Sequence, residues 1–260
     1  MIAVGKVYHA AGEQDMRIAL IADIHGNLVA FNTILDDIAR EGVDRVVCLG
    51  DVAAFGPQPE EVVARLRELD CPVVMGDADT ALLTPEPPAT NELFRNLQEI
   101  DAWALARLSP ADREYIAAFQ PTVSIPLDGD ATLLCYHGSP QSFKDPIRAT
   151  TSDDDLARML TGCDAHVYAG GHTHIQLLRR FGTSLVLNPG SVGLAYDRTP
   201  SPGVNVRNPP WGEYALLSTT GSGLSVDLRR VPFDVSALLR AARENGMPHA
   251  EWWCAEWDEA

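Results

Sequence analysis

Residues 17–30 read RIALIADIHGNLVA, and the fold is decided in this stretch. Arg17–Ala22 is a short apolar run of the length expected for a buried strand. The polar turn Asp23-Ile24-His25-Gly26-Asn27 follows it. From Leu28 to Arg40 the apolar residues Ala30, Ile34 and Ile38 recur at helical spacing, and Gly42 supplies a stop. Strand, polar turn and helix make one β-α unit. The pattern returns with Asp44–Leu49 as strand and Pro59–Leu69 as helix, and Pro72–Met75 offers a third strand. Units repeated in this way predict an α/β layer with parallel strands.

Outward from this core the pattern changes. A Pro-rich break (Pro85, Pro87, Pro88) precedes a helical stretch from Asn91 to Leu108. Ser109-Pro110-Ala111-Asp112 then reads as an N-cap, a first-turn proline and an acidic third position. Residues 86–120 are therefore expected to be a helical insertion outside the sheet. Beyond Pro121, Val123–Leu127 and Ala131–Tyr136 flank the hairpin signal Asp128-Gly129. A helix at Asp153–Leu160, its three leading aspartates favoured by the helix dipole, leads to the strand Ala165–Ala169. Strands Gln176–Arg180, Ser184–Leu187, Tyr214–Ser218 and Leu224–Val231 and a helix Val235–Glu244 complete the series. The expected architecture is one domain over residues 16–248, with two sheets face to face and helices outside. Residues 1–15 read as a loose extension or an upstream start, and residues 249–260 as an acidic tail whose Trp252, Trp253 and Trp257 are expected to pack onto the domain in preference to a partner.

Composition narrows the function. With 260 residues, 46% of them hydrophobic, the chain can bury one sizeable core. A net charge of −16 repels nucleic-acid backbones and anionic membranes, so bulk binding to either is not expected. A small anionic substrate remains open if its site carries positive charge, and with Lys and Arg scattered, metal ions are the expected source. The five cysteines lack metal-finger or redox spacing and read as reduced, mostly buried thiols of a cytoplasmic protein. No stretch has the length of a transmembrane span or a signal-peptide core. Oligomeric state is not legible.

Chemistry gathers where strands end. Asp23 and His25 follow the first strand, Gly50-Asp51 the second and Gly76-Asp77 the third; His137 and Gly171-His172-Thr173-His174 end later strands. Ligand crevices form at the carboxyl ends of such strands. Seven oxygen and nitrogen donors without a thiolate suit two Mn, Fe, Co, Ni or Zn ions. Two ions about 4 Å apart can clamp a phosphoryl group and lower the pKa of a bridging water.

These motifs, with Phe55-Gly56-Pro57, His137-Gly138 and Asn188-Pro189-Gly190-Ser191, resemble in order the motif set of the calcineurin-like metallophosphoesterase superfamily. The similarity runs from about Met16 to Pro248 and is greatest to its small bacterial and archaeal phosphodiesterases. The resemblance implies a four-layer sandwich of two mixed sheets flanked by helices. It implies one ion on Asp23, His25, Asp51 and His174, and another on Asp51, Asp77, His137 and His172. Asp51 is then the bridge, and Asp51 and His137 are the expected catalytic residues. Asn27 and Arg198 are the expected substrate contacts. The implied reaction is hydrolysis of a small phosphate ester, a diester before a monoester, by a metal-bridging hydroxide, with manganese the first choice of metal.

Two positions depart from the family pattern. Where the family has Gly-Asn-His, this chain has Gly76-Asp77-Ala78. Asp77 adds a negative charge among the ligands, although it also reads as a plain turn residue. Ala78 cannot donate a proton, and loss of a general acid costs about 10²–10⁴-fold in rate. The alternative reading is a metal-binding interaction module with weakened catalysis. Asp79 reads as a cap of the next helix, His166 as a core histidine, and the Asn188–Ser191 turn as structural. The loop 196–212 reads equally as a solvated loop or as a substrate-recognition segment.

Overall fold

In the computed structural model, residues 16–84, 87–127, 130–198, 207–220 and 223–257 are described. Along the chain come β1 (Met16–Ile21), α1 (Leu28–Glu41), β2 (Arg45–Cys48), α2 (Pro59–Leu69), α3 (Asp77–Leu83), α4 (Glu92–Arg107) and α5 (Pro110–Ala117). Then follow β3 (Val123–Pro126), β4 (Thr132–Cys135), α6 (Asp153–Met159), β5 (Val167–Ala169), β6 (Leu177–Phe181) and β7 (Ser184–Asn188). Last are β8 (Trp211–Thr220), β9 (Gly223–Pro232), α7 (Val235–Glu244) and α8 (Ala250–Cys254).

Two mixed sheets result. One has strand order β2-β1-β8-β9, the other β3-β4-β5-β7-β6. In the first, β1 runs parallel to β2, with Ile18 opposite Arg45 and Ile21 opposite Cys48, and antiparallel to β8. In the second, β4, β5 and β7 are mutually parallel, with antiparallel β3 and β6 at the edges.

Strand alternation sets the layers, because successive side chains point to opposite faces. Ile18 and Leu20 of β1 meet Leu133, Cys135 and Val167 of the other sheet in a core between the sheets. Ala19 and Ile21 point the other way, onto Phe31 and Ile34 of α1 and Val62 and Leu66 of α2. Behind the second sheet, Leu156 of α6 packs on Tyr168 and Val186. Helices, sheet, sheet and helix are the four layers. Burying each of these large side chains contributes roughly 1.5–3 kcal/mol, so Leu20→Ala would strike the sheet-to-sheet contact.

Several local expectations shift. The third strand shrinks to two isolated bridges, Val73 to Cys48 and Val74 to Gln120. Helices α4 and α5 do lie outside the sheet, but Ala104, Leu108 and Ile116 belong to its helix-side core. Ser109 and Asp112 form the predicted capping box. His166, expected in the core, is exposed, because β5 begins only at Val167; its Nδ1 accepts the Thr132 N–H at 3.3 Å. The tail folds as α8, with Trp253 and Trp257 buried against α7. The five thiols are free, three of them buried. Among the described residues, no helix is long and apolar enough to cross a membrane. The Asp128-Gly129 turn, residues 1–15 and residues 199–206 of the long loop lie outside the described residues.

Candidate metal centre

The seven expected donors converge at one end of the two sheets. Asp23, His25 and His174 form one group whose donor atoms lie within 4.8 Å of one another, and Asp77, His137 and His172 form a second. Asp51 stands between them. Its Oδ2 is 3.7 Å from His25 Nε2 and 3.2 Å from His137 Nε2. A third overlapping set, Asp23, Asp51 and His137, ties the two groups together.

The backbone is bent to achieve this. Asp23, His25, Asp51, His172 and His174 all have φ between 47° and 69°, in the left-handed region. Asp and His tolerate that region better than most residues, but each instance costs about 1–3 kcal/mol and must be held by its surroundings. Here the holding is explicit. The Asp23 N–H donates to Gly50 O at 2.9 Å and the His25 N–H to Asp51 O at 3.0 Å. The Asp79 carboxylate accepts three backbone N–H groups, from Asp51, Val52 and Gly76, at 2.8–3.0 Å. It caps α3 as expected, and also locks the Asp51 loop to the Asp77 loop. Between these loops only glycine fits at position 76, where a Cβ would stand 2.0 Å from Asp51 Oδ1.

Hydrogen bonds orient the imidazoles. His25 Nδ1 faces Ala54 O at 3.2 Å, His137 Nδ1 faces Leu49 O at 2.7 Å, and His174 Nδ1 faces Leu194 O at 2.7 Å. A carbonyl can only accept, so each Nδ1 carries the proton and Nε2 is the atom turned into the cluster. His172 is reversed: its Nδ1 lies 2.9 Å from Asp77 Oδ1. These oriented nitrogens and carboxylates are a donor set that fits divalent ions.

Charges in the cluster are coupled. Burial pushes the His25 imidazole down to about 4, and His174 beside it adds to the shift. Burial also disfavours charge on His137 and His174, yet the adjacent Asp51 and Asp77, and Asp23 respectively, carry both upward. Burial opposes the charge of Asp23 and Asp77, but the histidines hold both carboxyls below the ordinary range.

Of the two expected substrate contacts, Asn27 is committed elsewhere. Asn27 is fully buried; its Oδ1 caps α1 at Ala30 N, 2.9 Å away, and its Nδ2 donates to Gly193 O at 3.0 Å. It is a structural cap. Arg198 gives its guanidinium to neighbouring Asp197. Asp77 is not a free turn residue, since both second-group histidines contact its Oδ1. Ala78 is buried, and its N–H holds Asp51 Oδ1 at 2.9 Å. The Asn188–Ser191 turn is structural as read: Asn188 Nδ2 donates to Gly171 O, and Ser191 Oγ donates to Asp23 O at 2.7 Å. Phe55 and Tyr196 lie in segments the sequence marked, but their stacking on His25 and His174 went unsignalled because ring stacking leaves no local pattern in sequence.

This geometry agrees with comparisons to known proteins. The calcineurin-like phosphoesterase superfamily domain matches residues 16–206, and the chain belongs to that family. It is 24% identical over 253 residues to an uncharacterised protein of Methanocaldococcus jannaschii, MJ0912, covering 90% of this chain and 94% of that one. A metallophosphoesterase from Sphaerobacter thermophilus superposes with a TM-score of 0.68 at 25% identity, covering 93% of this chain and 97% of the other. A hypothetical protein from Pyrococcus horikoshii, PH1004, superposes with a TM-score of 0.73 at 18% identity, covering 92% and 96%, and shares the fold.

Proposed function

We propose that the chain hydrolyses small phosphate esters, diesters in preference to monoesters, with two divalent transition ions. One would be held by Asp23, His25 and His174, the other by Asp77, His137 and His172, with Asp51 shared. The observation that carries this reading is the placement of Asp51 Oδ2 between the two groups while Oδ1 is tied to the Ala78 N–H. When bound, two such ions clamp a phosphoryl group and lower the pKa of water. The protein's own residues set the preference. Asp77 adds a carboxylate to the ligand set, which disfavours a doubly charged monoester more than a singly charged diester. Ala78 offers no proton to the leaving group, so good leaving groups should react far faster. The charge of −16 argues against nucleic acid as substrate. Free thiols accord with a reducing, cytoplasmic setting.

The buried methyl of Ala78 also favours a second reading, a metal-binding interaction module with weakened catalysis. Stripping the protein of metal and restoring Mn²⁺ separates the two. The expected result is about two ions per chain by elemental analysis, and chelator-sensitive turnover of bis-p-nitrophenyl phosphate exceeding that of p-nitrophenyl phosphate. One ion or none would sink the two-ion reading; two ions without turnover would leave the second reading standing.

A further inference from the structure

Helix α4 contributes no motif residue, yet its Asp101 connects to the first ligand group through a single peptide bond. Asp101 Oδ1 accepts the Phe55 N–H at 3.0 Å. The carbonyl of the same peptide, Ala54 O, lies 3.2 Å from His25 Nδ1. A peptide is planar, so fixing its N–H fixes its C=O, and hydrogen bonds at its two ends reinforce one another. From this geometry we infer that Asp101 is a positioning residue for His25. It acts through the Ala54–Phe55 peptide to hold the imidazole with Nδ1 protonated and Nε2 facing the ligand group.

His25 needs such help more than its counterparts do. Leu49, whose carbonyl holds His137, is anchored one peptide earlier, its own N–H tied to Ile21 O of β1 at 2.8 Å. Leu194, whose carbonyl holds His174, is likewise anchored one peptide earlier, its own N–H tied to Ser191 Oγ at 2.8 Å. Both bonds to imidazole are 2.7 Å long, shorter than the bond from His25. The Ala54–Phe55 peptide lies in the turn between β2 and α2, and Phe55 has a φ of 70°, a conformation that requires outside support. The Phe55 ring also stacks on His25, with centroids 5.3 Å apart, so a shift of this peptide would disturb the imidazole twice. Burial, opposed by the Phe55 bond, raises the Asp101 carboxyl to about 8. Neutral or ionised, it accepts through Oδ1, and an asparagine there should serve as well.

The effect on the ring stands without any metal; the effect on metal rests on the reading of His25 as a ligand. The test therefore has two readouts, on the wild type, Asp101→Asn, Asp101→Leu and Asp101→Ala. Nitrogen-15 NMR of the metal-free protein follows the His25 Nδ1–H. Its hydrogen-bonded signal should persist in Asp101→Asn and exchange about 3–10-fold faster in Asp101→Leu and Asp101→Ala, the range expected for one lost hydrogen bond. Calorimetric titration with Mn²⁺, with His25→Ala marking the first group, should show that group weakened about 10–100-fold by the same two substitutions and the second group unchanged. An unmoved Nδ1–H signal in folded Asp101→Leu or Asp101→Ala would overturn the inference. So would equal weakening of both metal groups. A wild type that binds no Mn²⁺ would overturn the metal reading instead, while the NMR result still decides the role of Asp101. If Asp101→Leu does not fold, Asp101→Ala carries the comparison.

Discussion

The two ligand groups use the same residue types on different supports. In the first, Asp23, His25 and His174 are all buried, and all three sit in left-handed backbone tied down by long-range hydrogen bonds. In the second, His137 is buried, but the Asp77 and His172 side chains are 25% and 22% exposed, and only His172 has a positive φ. Backbone carbonyls hold every imidazole of the first group, whereas His172 turns its Nδ1 to Asp77. The first group is shaped by the fold in advance; the second is open to solvent. A preorganised site binds tightly because little ordering remains to be done, so the first group should hold its ion more firmly.

The largest expected effect comes from erasing the difference. Asp51→Asn removes the shared carboxylate, so metal content should fall from about two ions to below one, with phosphoesterase activity lost by more than the about 10–100-fold that an outer partner costs. Retention of both ions by elemental analysis would show that Asp51 is not shared. Next comes the paired substitution of His25→Ala and His172→Ala in metal-free protein. The buried imidazole leaves a cavity and an unpaired Ala54 carbonyl, an expected loss of about 2–3 kcal/mol in chemical denaturation. His172, with its side chain 22% exposed, should cost about 1 kcal/mol or less. Equal losses would mean that the two groups are equally preformed.

Asp77→Asn sharpens the comparison within the second group. It keeps an oxygen in place and removes one negative charge, so the second ion should bind about tenfold more weakly, a pKa-unit-sized change. KM for bis-p-nitrophenyl phosphate at saturating Mn²⁺ should fall in parallel. If neither the ion's affinity nor KM moves, the Asp77 carboxylate does not belong to the group's electrostatics.

The smallest effect lies behind the Asn188–Ser191 turn. Glu213 of β8 is buried, and burial, opposed by Trp211 and Arg230, raises its carboxyl from 4.5 to about 7. An acid with a raised folded pKa keeps its proton in the native state after the unfolded chain has lost it. Its contribution to stability is therefore present below about 4.5 and is lost as pH rises to about 7. Glu213→Gln should accordingly gain on the wild type by about 1–2 kcal/mol between about pH 5 and about pH 8, read as diverging unfolding midpoints. Parallel midpoints across that range would show that Glu213 does not titrate in this way.

Much of the site was legible because its signals are local. Strand ends are marked by a change of hydrophobic period, and the Asp, His and Gly residues that follow each one are the types that accept a left-handed turn. That is why Asp23, His25, Asp51, His172 and His174 could be read from sequence, and why all five share one backbone region. The capping box at Ser109 and Asp112 was legible for the same reason, its partners lying three residues apart. The misread residues are those whose partners are remote or unpatterned. Asn27 looked free for substrate until Gly193 O arrived from 166 positions away. His166 looked buried because its neighbours are apolar, but the last turn before a strand can face either way.

By itself, the sequence determined the alternation of strands and helices, the turn chemistry at each strand end and the identity of the donors, since all three depend on sterics within a few residues. Only the tertiary structure decided which polar atoms are spent on holding the fold and which remain to face the cluster. Asp79, Asp101 and Ser191 serve loops that lie 28, 46 and 168 positions away. The physical reason is that a hydrogen bond is short and directional, so it depends on where the packed layers bring two atoms together and not on their separation along the chain.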